Sequence, residues 1–337
     1  MAVPAAERFA VLSEVDLQNI LDGKDAKQTK KIVEKAVVTF YSYCASKGND
    51  ITEIEQLKEE DLCIFLRQFY AEIRTQKGDF NAKKSMQTIR YGLQKHFSKL
   101  RKFDIVNDSA FKDANEMFAA MVVKLKDEGK AAVNHKQPIE PQDMQKIRAS
   151  DALNQNTPRG LLNKVFIDIM LFMSQRGREN LREMEKDEFQ VKVDANNRRY
   201  VTRIRDRLTK NHRVDDEKSH AGLMYETPQF PENCPVQAFE RYISHLNPGC
   251  NAFWQRPKEA CQLKDNHDNV WYDNAPMGKN TLYNKMRNIS IEAKTSQIYT
   301  NHCLRATNVA TLDQAGFEAR HIMSITGHKS EASIRKS

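Results

Sequence analysis

Apolar residues recur every third or fourth position through the first part of the chain, the spacing that gives a helix one apolar stripe. Ser13 before "EVDLQNIL" has the chemistry of an N-cap. "AKQTKKIVEKAVVTFYSYCASKG" lines up Ile32, Ala36, Val37, Phe40 and Tyr43 and ends at Gly48. "EEDLCIFLRQFYAEIRTQKG" repeats the pattern with Leu62, Phe65, Leu66, Phe69, Tyr70 and Ile73. "NAKKSMQTIRYGLQKHFSKL" places Met86, Ile89, Leu93 and Phe97 inside, and "DSAFKDANEMFAAMVVKLKDEGK" forms a further helix.

A polar stretch with two prolines, "AAVNHKQPIEPQ", interrupts this pattern and marks a domain boundary. We therefore expect a helical domain over 1–130 and a second domain over 138–337. Pro141-Gln142-Asp143 opens a helix. "LLNKVFIDIMLFMSQRGRENLREME" reads as one strongly apolar helix that turns polar at Ser174. "EFQVKV", "DANN" and "RYVTRIR" alternate on either side of a polar turn and predict a β-hairpin. "LTKNHRVDD" reads as a loop and "AGLMYET" as a short strand. Helices return from Pro235, broken by a long loop, "PKEACQLKDNHDNVWYDNAPMGKN". The expected class is mainly α with a small antiparallel β-sheet.

Charge changes this picture. The 337 residues hold 53 Lys and Arg against 45 Asp and Glu, a formal charge of +8. Such a basic excess favours a polyanionic partner. The six cysteines form no C-x-x-C pair, which argues against a disulfide scaffold and for a reducing intracellular compartment. "MAVPAAERFAVLSEVD" has charges where a signal peptide needs an apolar core, and no apolar run has the length of a membrane span.

The candidate chemistry is concentrated in arginines and histidines. His302 and Arg305 stand three apart, so on a helix they share a face. His328 follows Gly327, a helix-end residue. A guanidinium fork and two imidazoles can bind a phosphate, the arginine in bidentate fashion and each imidazole by one donated hydrogen bond. "SQRGREN" adds Arg176 and Arg178 where the apolar helix becomes polar, and Lys210 lies in the loop after the hairpin.

These residues, in this order, resemble the catalytic domain of the tyrosine recombinase (phage integrase) superfamily. The resemblance runs from about residue 135 to 337. More narrowly, it is to Crypton-type recombinases and the animal proteins domesticated from them, including the recombinase-like region of MYM-type zinc-finger proteins. Arg176 with Glu179 matches the family's first arginine motif, Lys210 its hairpin lysine, His302-Cys303-Leu304-Arg305 its His-x-x-Arg, and Gly327-His328 its Gly-His. The all-helical first part resembles the core-binding domain.

The resemblance implies a two-lobed clamp around double-stranded DNA, strand cleavage through a 3′-phosphotyrosyl link, and no metal or other cofactor. Arginines and histidines would stabilise the charge gained in the transition state. Lys210 would act as general acid on the leaving oxygen, and His302 would assist proton transfer. The family's nucleophilic tyrosine lies about nine residues beyond the Gly-His histidine. That position is Ser337, and no tyrosine follows Tyr299.

Two readings of function follow. One is a DNA recombination or integration enzyme acting as a homo-oligomer on DNA. The other is a domesticated, non-catalytic DNA-binding or chromatin-associated module. Both imply a nuclear protein without a membrane or small-molecule cofactor. Lys83, Lys84, Arg90, Lys95, Lys99 and Arg101 on the third long helix are candidate DNA contacts. "LDQAGFEARHIMSITGHKSEASIRK" also carries a helix-turn-helix pattern, which would make its second helix a sequence reader. Cys303, His321 and His328 match no standard zinc spacing.

Overall fold

The computed structural model describes residues 10–23, 27–130, 136–205, 222–259, 269–328 and 330–334. The chain divides into two compact units, Met1–Asn134 and His135–Ser337. Among the described residues it is mainly α-helical with two small antiparallel sheets.

The first unit contains α1 (Glu14–Gly23), α2 (Lys27–Ser46), α3 (Ile51–Gln56), α4 (Glu59–Glu72), α5 (Lys83–Arg101) and α6 (Lys112–Asp127). Ser13 caps α1: its hydroxyl accepts the Asp16 N–H at 3.1 Å while the Asp16 carboxylate accepts the Ser13 N–H. Gly48 follows α2 at φ +81°, a left-handed turn that suits glycine. The stripes of α2, α4 and α5 converge on Phe40, which meets Phe69 and Phe97 edge-on at centroid distances of 5.1 and 6.0 Å. Helices α2 and α5 touch closely at Gly92. A Cβ there would lie 2.6 Å from that of Ala36, so the crossing depends on the missing methyl.

The second unit is built around α8 (Pro158–Phe172), which follows α7 (Pro141–Ala149). Thr157 caps α8, accepting the Gly160 N–H at 3.1 Å, and Pro158 takes the first helical position. Every residue from Gly160 to Met170 is buried. That accounts for its near-continuous apolar sequence: a helix apolar all round lies inside its domain. Its buried polar exceptions are Asn163, Lys164 and Asp168, of which Lys164 and Asp168 form an ion pair with each other one turn apart.

The hairpin forms as the alternation predicts. β1 (Phe189–Val193) pairs with β2 (Arg199–Arg203), and β3 (Met224–Tyr225) extends the sheet antiparallel to β2. After α9 (Pro235–Ser244) comes a second two-stranded sheet, β4 (Gln255–Pro257) with β5 (Tyr272–Pro276). Sequence reading assigns this stretch to one long loop. The paired strands are too short, and β5 too polar at its exposed positions, to show alternation. Then come α10 (Lys279–Tyr283), α11 (Lys285–Glu292), α12 (Asn301–Gln314), α13 (Ala319–Thr326) and α14 (Glu331–Ile334).

A second correction concerns the end of α8. The helix stops at Phe172 and does not run on through "SQRGREN". Ser174 and Asn180 hold φ of +49° and +54°, left-handed values incompatible with continued helix. Residues 173–184 are therefore turns, and these carry Arg176 and Glu179.

Candidate phosphate-binding site

Four of the sequence-selected residues come together in the second unit from three separate segments. Thr300 caps α12 by accepting the Cys303 N–H, which starts the helix just ahead of His302 and Arg305. Asp143 anchors the segment leading into it. Its buried carboxylate accepts the Ser296 N–H at 3.0 Å, the Tyr299 hydroxyl at 2.9 Å and the Lys146 ammonium at 3.0 Å. The Ser296 hydroxyl also donates to it, and these bonds hold Asp143 well below the usual carboxylate range.

The turn after α8 is clamped onto the start of α12. Asn301 is buried and its amide donates to the carbonyls of Gly177 and Leu282, each at 2.9 Å. Its own carbonyl accepts the Met286 N–H at 3.0 Å. Gly177 has no room for a side chain: a Cβ would sit 2.9 Å from the His302 nitrogen and 3.0 Å from its ring. The turn can therefore reach His302 because residue 177 is glycine.

Arg305 ties this turn to the end of α13. Its Nη1 donates to the Ser174 carbonyl at 2.6 Å and its Nη2 to the Thr326 carbonyl. A guanidinium has five N–H donors, so these bonds leave others for a ligand. Burial, then the neighbouring Arg176 charge, lowers Arg305 to about 10, against a rise from Glu179. Arg176 is half-buried and pairs with Glu179 at 2.5 Å. Arg178 points to solvent, its guanidinium 5.5 Å from the Tyr283 ring centroid.

Both imidazoles titrate low. His302 keeps an edge open to solvent. Enclosure of the rest of the ring lowers its pKa, and the charges of Arg178, Lys136 and Arg305 add to this. His328 is lowered to about 4 by burial and by Arg305 and Arg176. Gly327 ends α13 in the left-handed region, φ +65°, and turns His328 back toward Thr326. The Thr326 hydroxyl donates to the Ile322 carbonyl at 2.6 Å and lies 2.7 Å from His328 Nδ1. With its one hydrogen committed, that hydroxyl accepts from Nδ1–H. Neutral His328 then presents a bare Nε2, a proton acceptor. The donation to a phosphate that the sequence leads one to expect therefore requires His328 to take up a proton on Nε2.

Lys210 and Ser337 lie outside the described residues. The basic helix α5 divides in two. Lys84, Lys95 and Lys99 are exposed and Lys83 is half-exposed. Arg90 instead faces the interior of its unit. It packs 4.5 Å from the Phe118 ring centroid and donates to Asn115 Oδ1 at 2.6 Å. Arg101 donates to the Glu55 carbonyl beside the Phe103 ring. These two arginines hold the first unit together. No group of three or more His, Cys, Asp and Glu suited to a metal ion occurs among the described residues. No described helix is long and apolar enough to cross a membrane.

Sequence reasoning missed Gly177, Asn301 and Thr326. The signal was a glycine between two arginines, an asparagine beside His302, and a threonine directly before Gly327-His328.

Comparison with known proteins places part of the chain against a family model. Residues 142–291 match a domain of unknown function, DUF3504. No curated protein sequence matches the chain. Among solved structures, the chain is similar to the Tn1549 transposon integrase in complex with transposon right end DNA. The TM-score is 0.48 at 13% identity, covering 94% of this chain and 91% of that one. It is also similar to the XerH site-specific recombinase bound to a palindromic difH substrate, with TM-score 0.48, 12% identity and coverage of 90% and 74%. A lambda integrase tetramer bound to a Holliday junction gives TM-score 0.47, 12% identity and coverage of 94% and 74%.

Proposed function

We propose that this chain grips the backbone phosphates of duplex DNA as a protein of the tyrosine recombinase type, serving DNA recombination or integration. The observation that carries the reading is the meeting of Arg176, His302, Arg305 and His328, drawn from three segments. Two half-buried guanidiniums with donors to spare would bind one phosphodiester, and their charge would count most where a phosphorane gains negative charge. Of the described tyrosines, Tyr299 is excluded as a nucleophile. Its ring is buried and its hydroxyl already donates to Asp143. The resemblance puts Ser337 at the nucleophile position, and a serine oxygen falls short of the phenolic one. Residues 1–337 accordingly bind DNA without cutting it, with lysines of α5 neutralising further phosphates.

The test is duplex affinity as a function of salt. Each phosphate neutralised contributes about 0.9 to the log–log slope, so a chain making several contacts loses orders of magnitude between roughly 50 and 200 mM salt. Arg176→Gln should weaken binding about tenfold or more, since a charge-assisted contact is worth roughly 1.5–3 kcal/mol. Affinity that stays flat with salt, or is indifferent to Arg176→Gln, overturns the reading. A detergent-stable adduct on nicked duplex would overturn the claim that this polypeptide does not cut.

A further inference from the structure

Away from the arginine–histidine cluster, the second unit contains a cavity of about 470 Å³. Its walls include Arg159 and Asn163 of α8, Arg256 and Asp273 of the β4–β5 sheet, and Lys285 and Glu292 of α11. That volume lies in the range of small-molecule sites. Most of its charges are already matched. Arg159 pairs with Glu292 at 2.7 Å and Arg256 with Asp273 at 2.6 Å.

Two groups are left over. Lys285 is only 7% exposed and has no ion-pair or hydrogen-bond partner among the described residues. Its ammonium opens onto the cavity, where only the charge of Glu292, already paired with Arg159, offsets its desolvation. Asn163, also buried, spends its amide N–H on the Ala152 carbonyl at 2.8 Å, while its Oδ1 accepts nothing. An unpaired cation and an unpaired acceptor thus line one cavity. The pairing that satisfies both is a molecule with an anion for the lysine and a donor for the amide oxygen. None of the wall carboxylates forms an ion pair with Lys285: Glu292 and Asp273 are each held by an arginine, Glu259 has an interaction of its own, and Glu292 acts on the lysine only through its charge.

We propose that this cavity binds a small molecule carrying a carboxylate or phosphate on Lys285 and a neighbouring hydroxyl or ammonium that donates to Asn163 Oδ1. This goes beyond the DNA reading and does not depend on it. Burial, then the Arg159 charge, lowers Lys285 to about 8 against the opposing Glu292. Arg256, Asp273 and Glu259 are the remaining charged groups on the walls. A bound anion favours the ammonium, so it raises the midpoint of Lys285. By the same linkage, anion affinity is full below pH 8 and falls as pH rises past it.

The experiment is NMR on the full chain with ¹³C-labelled lysine, following the Lys285 Cε resonance through pH. The probes are inorganic phosphate, glycolate (carboxylate plus hydroxyl) and acetate (carboxylate alone), each at tens of millimolar. Phosphate or glycolate should move the Lys285 midpoint up by about one unit or more, each unit being a tenfold preference for the protonated site. Glycolate should bind more tightly than acetate. The stronger of phosphate and glycolate identifies the anion. Thr281→Asp, an exposed position on the same cavity wall, should raise the midpoint without any probe and abolish probe binding. In Lys285→Met, the backbone amide shifts that the probes induce around the cavity in the parent should disappear. A Lys285 midpoint that none of the three probes moves, or glycolate binding no better than acetate, overturns the proposal.

Discussion

Arg305→Ala should destabilise the second unit as well as weaken DNA binding, because Arg305 is a structural tie before it touches any ligand. Its guanidinium donates to the carbonyls of Ser174 and Thr326, which lie 131 and 21 residues away along the chain. Hydrogen bonds from charged donors contribute about 1.5–3 kcal/mol each, and truncation leaves two carbonyls to find water. Arg305 is half-buried, so water re-solvates part of the site, and about 2–4 kcal/mol is a fair total. For a unit of this size that lowers the melting temperature by roughly 5–15 °C. Arg305→Lys should recover about half of this, since one ammonium reaches one carbonyl where the planar fork reaches two. Calorimetry of the three proteins without DNA measures the effect, and duplex binding should be compared well below the lowest transition. Equal melting temperatures for parent and Arg305→Ala would refute the tie. Loss of binding would then report the phosphate site alone.

The remaining predictions concern charge. His328 starts from a pKa of about 4, and a bound phosphate favours the imidazolium, so duplex affinity should rise as pH falls from 7 toward 5. Fluorescence anisotropy should show that rise in the parent and a smaller one in His328→Ala; a pH-independent affinity in the parent would refute it. Arg90→Ala should cost the first unit about 1.5–3 kcal/mol through its Asn115 and Phe118 contacts, yet leave the salt slope of DNA binding alone. Lys84→Ala should do the reverse, lowering the slope by about 0.9.

Periodicity was a good guide where one face of an element meets a core. The stripe on α2 reads directly as the packing of Phe40, and the alternation of "EFQVKV" as β1. It was a poor guide where the backbone leaves regular geometry. The residues after Phe172 continue a helical composition, but Ser174 and Asn180 turn left-handed. Such positions depend on contacts that local sequence does not contain, here the grip of Arg305 on Ser174 and of Asn301 on Gly177. Arg90 failed for a related reason. On a basic helix its sequence looks like that of its lysine neighbours, but a guanidinium can lie flat on Phe118 and still reach Asn115, so it is drawn into its own unit.

The histidine motif shows where chemistry outran pattern. Gly327 is legible as a helix end, and His328 as a candidate ligand, from the two letters alone. The direction of the proton is set one residue earlier. Because Thr326 sends its hydrogen to Ile322, it can only accept from His328 Nδ1. The imidazole is thereby fixed as a neutral group with an open Nε2, beside two guanidiniums that oppose its protonation. Arg176 already pairs with Glu179, and on the proposed reading a phosphate would add a second negative charge beside Arg305. Its charge would offset the lowering of His328 by Arg305 and Arg176 and so favour protonation of the imidazole. On the proposed phosphate-binding reading, the uptake of that proton is what the pH dependence of duplex affinity measures.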